Sequence, residues 1–354
     1  MTKSPMPSLL FIVDVPNWAH DNKTQSLQRT LGDEYQIVKR FQSDVTSADL
    51  ENADLILVYY WMQFDRMKHL ETAFLRNRYK LLIGVCSHYE FTGEWRDPAL
   101  TTLRRMARGV FVNNSFLYHE LQSLVDAPVF YTPNGVDTDF YRPSLVSLPS
   151  TSRTPARNDF LTHLRQPLSS ISSVVKRFSE IGLRERARRS EMRVGWAGSL
   201  TNHGPDQRGV HDLIIPAVRS VKGLDVLLAA REEKWRDPDE MLEFYRSIDI
   251  YICASSSEGT PNPCLEAAAC GVPVVTTRVG NMPELIQHSI NGLFIERDVS
   301  DIANKLTQLR DDSLLRAELS QSMLTSIRAW DWRHQARNYR NMFETILNQK
   351  TQIA

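Results

Sequence analysis

The chain has 354 residues, with 42 Lys and Arg against 42 Asp and Glu, so its formal charge is zero. That length holds two domains of ordinary size, and the balance removes any general electrostatic case for a nucleic-acid partner. Cys86, Cys253, Cys264 and Cys270 lack metal-ligand spacing and sit in apolar or helical contexts. They read as reduced core thiols of a cytoplasmic protein. The apolar run Leu9 to Val13 is too short to span a bilayer and has no signal-peptide pattern, so membrane contact is expected to be peripheral at most.

Apolar runs at Leu9 to Val13, Tyr35 to Val38, Leu55 to Tyr59, Leu81 to Val85, Val110 to Val112 and Val129 to Tyr131 alternate with helical stretches. This is the pattern of a doubly wound parallel sheet, expected over residues 1–145. Polar loops then fall at strand ends, where such sheets bind ligands. Asp14-Val15-Pro16-Asn17-Trp18-Ala19-His20 follows the first strand, Tyr59-Tyr60-Trp61 ends another, and Ser87-His88-Tyr89-Glu90 follows the run ending at Cys86. The Tyr59 to Trp61 stretch could shape an acceptor pocket, with aromatic packing the simpler account. Asn114 or Ser115 is expected to cap the helix that carries Leu117 and Leu121.

Residues 146–190 are rich in Ser, Pro and Arg without a strand signal and read as a linker with a basic helical insertion. Such a face could attract anionic lipid or a polyanionic acceptor, but a solvated basic helix is the better account. A second sheet, over 191–329, opens with Arg193 to Ala197 running into the Gly198-Ser199 turn. Arg208-Gly209 then precedes an amphipathic helix over Val210 to Val221, and Arg231 and Lys234 follow the strand Asp225 to Ala229. Met241 to Ile248 reads as a short helix. A last helix from Trp330-Asp331-Trp332 to Leu347 carries Tyr339, Met342, Phe343 and Ile346 at helical spacing.

Everything turns on Ser257 to Val275, which leaves the strand run Ile248 to Ala254 and enters an Ala-rich helix ending at Gly271. Pro261 or Pro263 suits the first helical turn and Gly271 the C-terminal cap. A helix starting just past a parallel strand aims unpaired N–H groups into the ligand crevice, which suits a diphosphate over Thr260, Pro261 and Asn262. Glu258 and Glu266 would repel that diphosphate unless each accepts hydrogen bonds from neutral groups, and sugar hydroxyls fit that need on both sides.

The stretch EGTPNPCLEAAACGVPVV, from Glu258 to Val275, resembles the E-x7-E signature of retaining GT-B glycosyltransferases of the family 4 type. Gly280-Asn281-Met282-Pro283-Glu284-Leu285-Ile286 and Asn291-Gly292-Leu293-Phe294 continue the match, and Pro133-Asn134-Gly135-Val136-Asp137 resembles the family's crossing between domains. The resemblance implies two Rossmann-like domains facing across a cleft, with the helix of residues 330–354 crossing back onto the first. It implies a nucleotide-sugar donor linked to UDP or GDP, no further cofactor and no metal, so that Asp137 and Asp139 form a structured turn. Glu266 would hold the ribose hydroxyls and Glu258 those of the donor sugar, with His88 approaching the transferred sugar from the other domain. Relatives place an Arg where Ser199 stands, which leaves Arg208 to meet the diphosphate, assisted by backbone N–H groups at Gly198 and Ser199. Arg231 and Lys234 are the alternative cations. The family's favoured route is front-face attack in which the leaving phosphate takes the acceptor proton.

The acceptor is expected to be a saccharide or a lipid-linked glycan at the inner membrane face. The missing Arg and the altered loop after the first strand suit a second reading, a degenerate GT-B module that binds a nucleotide sugar without transfer. A third keeps transfer but acts on modified bases in DNA, on the sole ground of the basic stretch near 176–193.

Overall fold

A computed structural model describes residues 6–144, 191–201 and 205–351. The expected basic insertion lies outside the described residues. Six strands, β1 (Ser8–Val13), β2 (Gln36–Phe41), β3 (Leu55–Val58), β4 (Leu81–Val85), β5 (Gly109–Val112) and β6 (Val129–Tyr131), form one sheet in the order β2-β1-β3-β4-β5-β6. Every pairing is parallel. The second strand runs three residues beyond the expected Val38, because Gln36 to Phe41 pair along the full length of β1. Alternate residues of β1 serve different cores: Leu10 and Ile12 join one apolar cluster, Leu9, Phe11 and Val13 the other. Near-continuous apolar runs are what a parallel sheet covered on both faces requires.

A second sheet contains β7 (Met192–Gly198), β8 (Leu224–Ala230), β9 (Ile250–Cys253), β10 (Val274–Thr276) and β11 (Leu293–Phe294) in the order β11-β10-β9-β7-β8, again parallel throughout. In each sheet the chain reverses its direction of strand addition, between β1 and β3 in the first and between β7 and β9 in the second. Crevices beyond the carboxyl ends of such strand pairs are where ligands bind in open α/β sheets.

Helices α1 (Ala19–Leu31) and α2 (Ser115–Gln122) belong to the first sheet, α3 (Pro238–Ser247), α4 (Asn262–Ala269), α5 (Val299–Asp311) and α6 (Ser313–Ser326) to the second. The Asn114 side chain caps α2 by accepting from the Leu117 N–H at 2.9 Å. The helix expected over Val210 to Val221 begins as a π-helical turn from Val210 to Ile214 and becomes α-helical from Ile215 to Ser220. Gly209, at φ +64°, starts it, and both the Leu213 and Ile214 N–H groups share the Gly209 carbonyl.

The last helix, α7 (Trp332–Thr351), returns to the first sheet. Tyr339, Met342, Phe343 and Ile346 are buried in one cluster with Leu9, Phe11, Leu55 and Leu57. The entry to α7 is bonded to the outgoing crossing: Val136 N–H donates to the Trp330 carbonyl and Trp332 N–H to the Val136 carbonyl. Asp137 Oδ1 accepts from the Asp139 and Phe140 N–H groups, which makes this segment a turn. Among the described residues no helix is long and apolar enough to cross a membrane.

Candidate active site

Helix α4 starts just after its N-cap, Pro261, with Pro263 in its first turn. Its far end is closed by Gly271 at φ +74°, with Gly271 N–H donating to the Ala268 carbonyl and Val272 N–H to the Ala267 carbonyl. This is a Schellman ending, in which a left-handed residue lets the last carbonyls be satisfied. The front of the helix departs from expectation. Asn262 N–H donates to the Thr260 carbonyl at 2.9 Å and Cys264 N–H to the Pro261 carbonyl at 2.8 Å, while Pro263 has no N–H. These first-turn donors are therefore engaged inside the turn, and the helix start is a poorer phosphate cradle than the sequence suggests. Thr260 and Asn262 face neighbours instead: Thr260 Oγ1 accepts from Asn281 Nδ2, and Asn262 Oδ1 accepts from Asn134 Nδ2 of the first domain.

The two domains meet at the loop before α4. A Cβ added to Gly259 would lie 1.5 Å from the carbonyl oxygen of Cys86, and one added to Gly280, at φ +53°, would lie 2.2 Å from the Gly259 carbonyl. Only glycine backbone fits such approaches. The contact sets the Glu258 loop against the end of β4, two residues before His88. The His88 ring packs against Phe116, centroids 4.9 Å apart, and burial holds it below the usual histidine range despite the Glu120 carboxylate.

Glu258 and Arg208 form an ion pair, and Glu258 Oε1 also accepts from Ser255 Oγ at 2.8 Å. Gln207, beside Arg208, is tied into the same loop: its Nε2 donates to the Ser257 carbonyl and its own carbonyl accepts from Ser256 N–H. Arg297 adds donors to the Gln207 and Ala254 carbonyls. Arg208 Nε is buried with no protein partner. The sequence offered no signal for the Arg297 clamp, since an Arg after an apolar strand reads as an ordinary surface residue.

Glu266 projects from α4 and accepts from the Tyr245 hydroxyl at 2.6 Å. Burial pushes its carboxyl up to about 7, although hydrogen bonds from Tyr245 and Tyr141 oppose the shift.

The remaining predicted donor contacts divide. Gly198 accepts the Arg231 N–H through its carbonyl. Ser199 Oγ donates to Glu232 at 2.6 Å. Burial works to raise Glu232, but the Leu200 N–H and the Ser199 and Thr201 hydroxyls bring it down to about 2. The Arg231 guanidinium lies between two indoles, 4.3 Å from the Trp18 ring centroid and 4.8 Å from that of Trp235. It bridges the cleft rather than facing Glu258. Lys234 pairs with Glu240 on an exposed loop, with 60% of its side chain accessible, and is not brought to the Arg208–Glu258 pair.

Across the cleft, at the ends of β1, β3 and β4, lies a cluster that the sequence marked only as an unusual loop. Asp14 Oδ2 is 3.2 Å from His20 Nδ1, and the His20 ring lies flat on Tyr59. Burial pushes Glu90, which accepts from the Cys86 N–H, up to about 8.

Two parallel-sheet domains with a charged cleft between their strand ends define a chain of the GT-B class. The comparisons agree. Residues 232–312 match the model of the family "Glycosyl transferases group 1". The chain is 28% identical over 214 residues to a D-inositol 3-phosphate glycosyltransferase of Stackebrandtia nassauensis, covering 59% of this chain and 46% of the relative. It is 32% identical over 112 residues to one of Corynebacterium jeikeium, covering 31% and 27%. Each match thus spans less than half the relative's length. Among solved structures, Anabaena HepE in complex with UDP and glucose superposes with TM-score 0.68 at 14% identity, covering 95% of this chain and 99% of the other. Sucrose-phosphate synthase of Thermosynechococcus elongatus does so with TM-score 0.69 at 13% identity, covering 97% and 100%. At such identities these two establish the fold alone. Residues 232–312 thus resemble the group 1 glycosyltransferases, and the chain as a whole has the GT-B fold.

Proposed function

We propose that the chain is a retaining glycosyltransferase that moves a sugar from a nucleotide sugar to an acceptor hydroxyl, on a saccharide or a lipid-linked glycan. The observation that carries this reading is the Gly259 contact with Cys86, which closes the Arg208–Glu258 pair of one domain onto the His88 strand end of the other. In this reading Glu266 holds the ribose hydroxyls and Glu258 the hydroxyls of the donor sugar. Arg208 compensates the charge that builds on the diphosphate as the anomeric C–O bond breaks, a role that low dielectric strengthens. Because the first-turn donors of α4 are engaged, the diphosphate rests chiefly on Arg208 and the Gly198-Ser199 turn. Retention follows from front-face attack, in which orientation of two bound substrates supplies much of the rate. Beyond the donor and the acceptor, this reading calls on no cofactor.

Val15, Tyr89, Phe116 and Trp235 are large apolar side chains left exposed on the segments that follow strands β1, β4, β5 and β8. They support an acceptor with an apolar portion, met in the cytoplasm at the inner membrane face. The named relatives act on D-inositol 3-phosphate, which makes that compound an acceptor to test, and the HepE complexes make UDP-glucose the first donor.

The test combines thermal shift against UDP, GDP, UDP-glucose and GDP-mannose with an assay of nucleotide release. A rise in Tm with one nucleotide and release from the matching sugar are expected, with Glu258→Gln reducing release by roughly a hundredfold. Binding with no release would instead favour a module that holds a nucleotide sugar without transfer. The engagement of Ser199 by Glu232 and of Arg208 by Glu258 favours this second reading.

A further inference from the structure

We propose that Arg297 is a positioning residue for the Arg208–Glu258 pair and acts, through Arg208, on the departure of the nucleotide. The assignment rests on the reading above in which Arg208 meets the diphosphate, and on transfer only where it concerns rate. Segments that follow three different strands come together here. Arg208 lies between β7 and β8, Glu258 on the loop after β9, and Arg297 three residues after β11.

The Arg297 guanidinium bridges the two segments that supply the pair. Its Nη1 donates to the Gln207 carbonyl at 3.0 Å and to the Ala254 carbonyl. Gln207 is the residue before Arg208, and Ala254 directly follows β9 on the way to Glu258. One nitrogen on two backbone oxygens fixes how far apart the segments stand. Neutral bonds cross-link the same seam: Ser256 N–H donates to the Gln207 carbonyl at 2.8 Å, and Gln207 Nε2 to the Ser257 carbonyl at 2.9 Å. Gly209 lets the segments lie close, since a Cβ there would be 3.1 Å from the Ala254 carbonyl and its φ is +64°. Arg297 is thus the charged member of a seam otherwise made of neutral bonds, and it is contributed by a third segment.

Arg208 depends on that seam more than a solvated arginine would. Its side chain is 17% exposed and that of Glu258 12%, so the pair stands mostly out of water, and Arg208 Nε is buried with no protein partner. Ser199, at the end of β7, pairs with Glu232 and brings no cation, while Arg231 is held between indoles and Lys234 by Glu240. Among the described residues the diphosphate charge therefore falls chiefly to Arg208. A misplacement of roughly 1 Å in a group that meets a reacting charge is enough to cost rate, the more so where water is excluded.

No step is added to the transfer. The bond from the anomeric carbon to the diphosphate oxygen breaks, its electron pair leaves with the nucleotide, and the acceptor proton still goes to the leaving phosphate. Arg208 meets the charge that builds meanwhile, and Arg297 acts only through the place it gives Arg208. Free UDP carries the added charge of the departing group, whereas UDP-glucose does not. A displaced Arg208 therefore weakens the transition state and the UDP complex more than it weakens the complex with intact donor.

The experiment is a double-mutant cycle in the full-length chain, read by UDP release from UDP-glucose with water as acceptor and by UDP affinity, with GDP and GDP-mannose in their place where only GDP raises the Tm. Arg297→Ala is expected to lower kcat and nucleotide affinity about tenfold each, while KM for the intact donor stays within about twofold. Arg297→Lys, which can still donate to both carbonyls, should recover most of the loss. In an Arg208→Ala background, Arg297→Ala should cost less than about twofold in either readout. A merely structural contribution would cost the same factor in both backgrounds. If Arg297→Ala melts below the assay temperature, Arg297→Gln carries the same cycle. Wild-type kcat and affinity in Arg297→Ala, equal losses in both backgrounds, or no recovery by Arg297→Lys overturns the assignment and leaves transfer standing. A wild-type chain that binds nucleotide and releases none overturns the transfer reading alone, and the affinity cycle then decides on Arg297. A wild-type chain that binds neither nucleotide overturns both.

Discussion

Glu266 and Glu90 carry carboxyls that burial has pushed up to about 7 and about 8. A carboxyl of raised folded-state pKa holds its proton more tightly in the native chain than in the unfolded one. Stability is therefore greatest below the ordinary Glu value and falls as pH rises through that value to the folded one. Without ligand, Tm should decline between about pH 5 and pH 8, and Glu90→Gln should flatten the upper part of that decline. A melting series in matched ionic strength checks it. In the proposed reading donor binding runs the other way, because the ionised form of Glu266 would accept the ribose hydroxyls. UDP affinity should fall roughly tenfold per pH unit below about 7 and level off above it. Glu266→Gln should bind weakly and without that slope, which isothermal titration across the same range would read.

At the scale of elements, the loop before α4 and the helix α7 do different work. Gly259 and Gly280 let one backbone lie directly on another, and Ala at Gly259 would drive a methyl into the Cys86 carbonyl. Gly259→Ala should cost roughly 1–3 kcal/mol, read by urea titration, and should lower turnover more than stability because it parts the two strand ends. Helix α7 instead supplies core. Phe343 is fully buried, edge-on to Phe11 and Tyr35. Phe343→Ala should cost about 3–5 kcal/mol, and hydrogen exchange should show the loss first in the strands of the first sheet.

For the whole molecule the decisive contacts are polar and few. Glu284 accepts from Ser115 N–H at 2.6 Å and from the Tyr131 hydroxyl, and Asn134 joins Asn262, so the second domain is bonded directly to the strand ends of the first. Hydrogen bonds to a charged acceptor contribute about 1.5–3 kcal/mol each when partly buried. Glu284→Ala should therefore loosen the closed arrangement. Small-angle scattering should give a larger radius of gyration for the unliganded variant, with a Tm lowered by several degrees.

The alternation of apolar runs was enough to read two parallel sheets, because a strand covered on both faces must be apolar throughout. The Glu258 to Val275 pattern was enough to read the loop, the helix and its Gly271 ending, since each follows from local backbone chemistry. What the one-dimensional chain could not disclose was which polar groups already satisfy one another. Arg208 pairs with Glu258, Ser199 with Glu232, Lys234 with Glu240, and the first N–H groups of α4 with their own turn. A helix start looks vacant in sequence because its donors find carbonyls only when the turn closes. The Asp14–His20 pair was equally hidden: six residues apart in an irregular loop, they meet only because β1, β3 and α1 converge at one edge of the sheet. Local periodicity determines elements, whereas hydrogen bonds and ion pairs between distant residues depend on distances of a few ångströms that only tertiary packing sets.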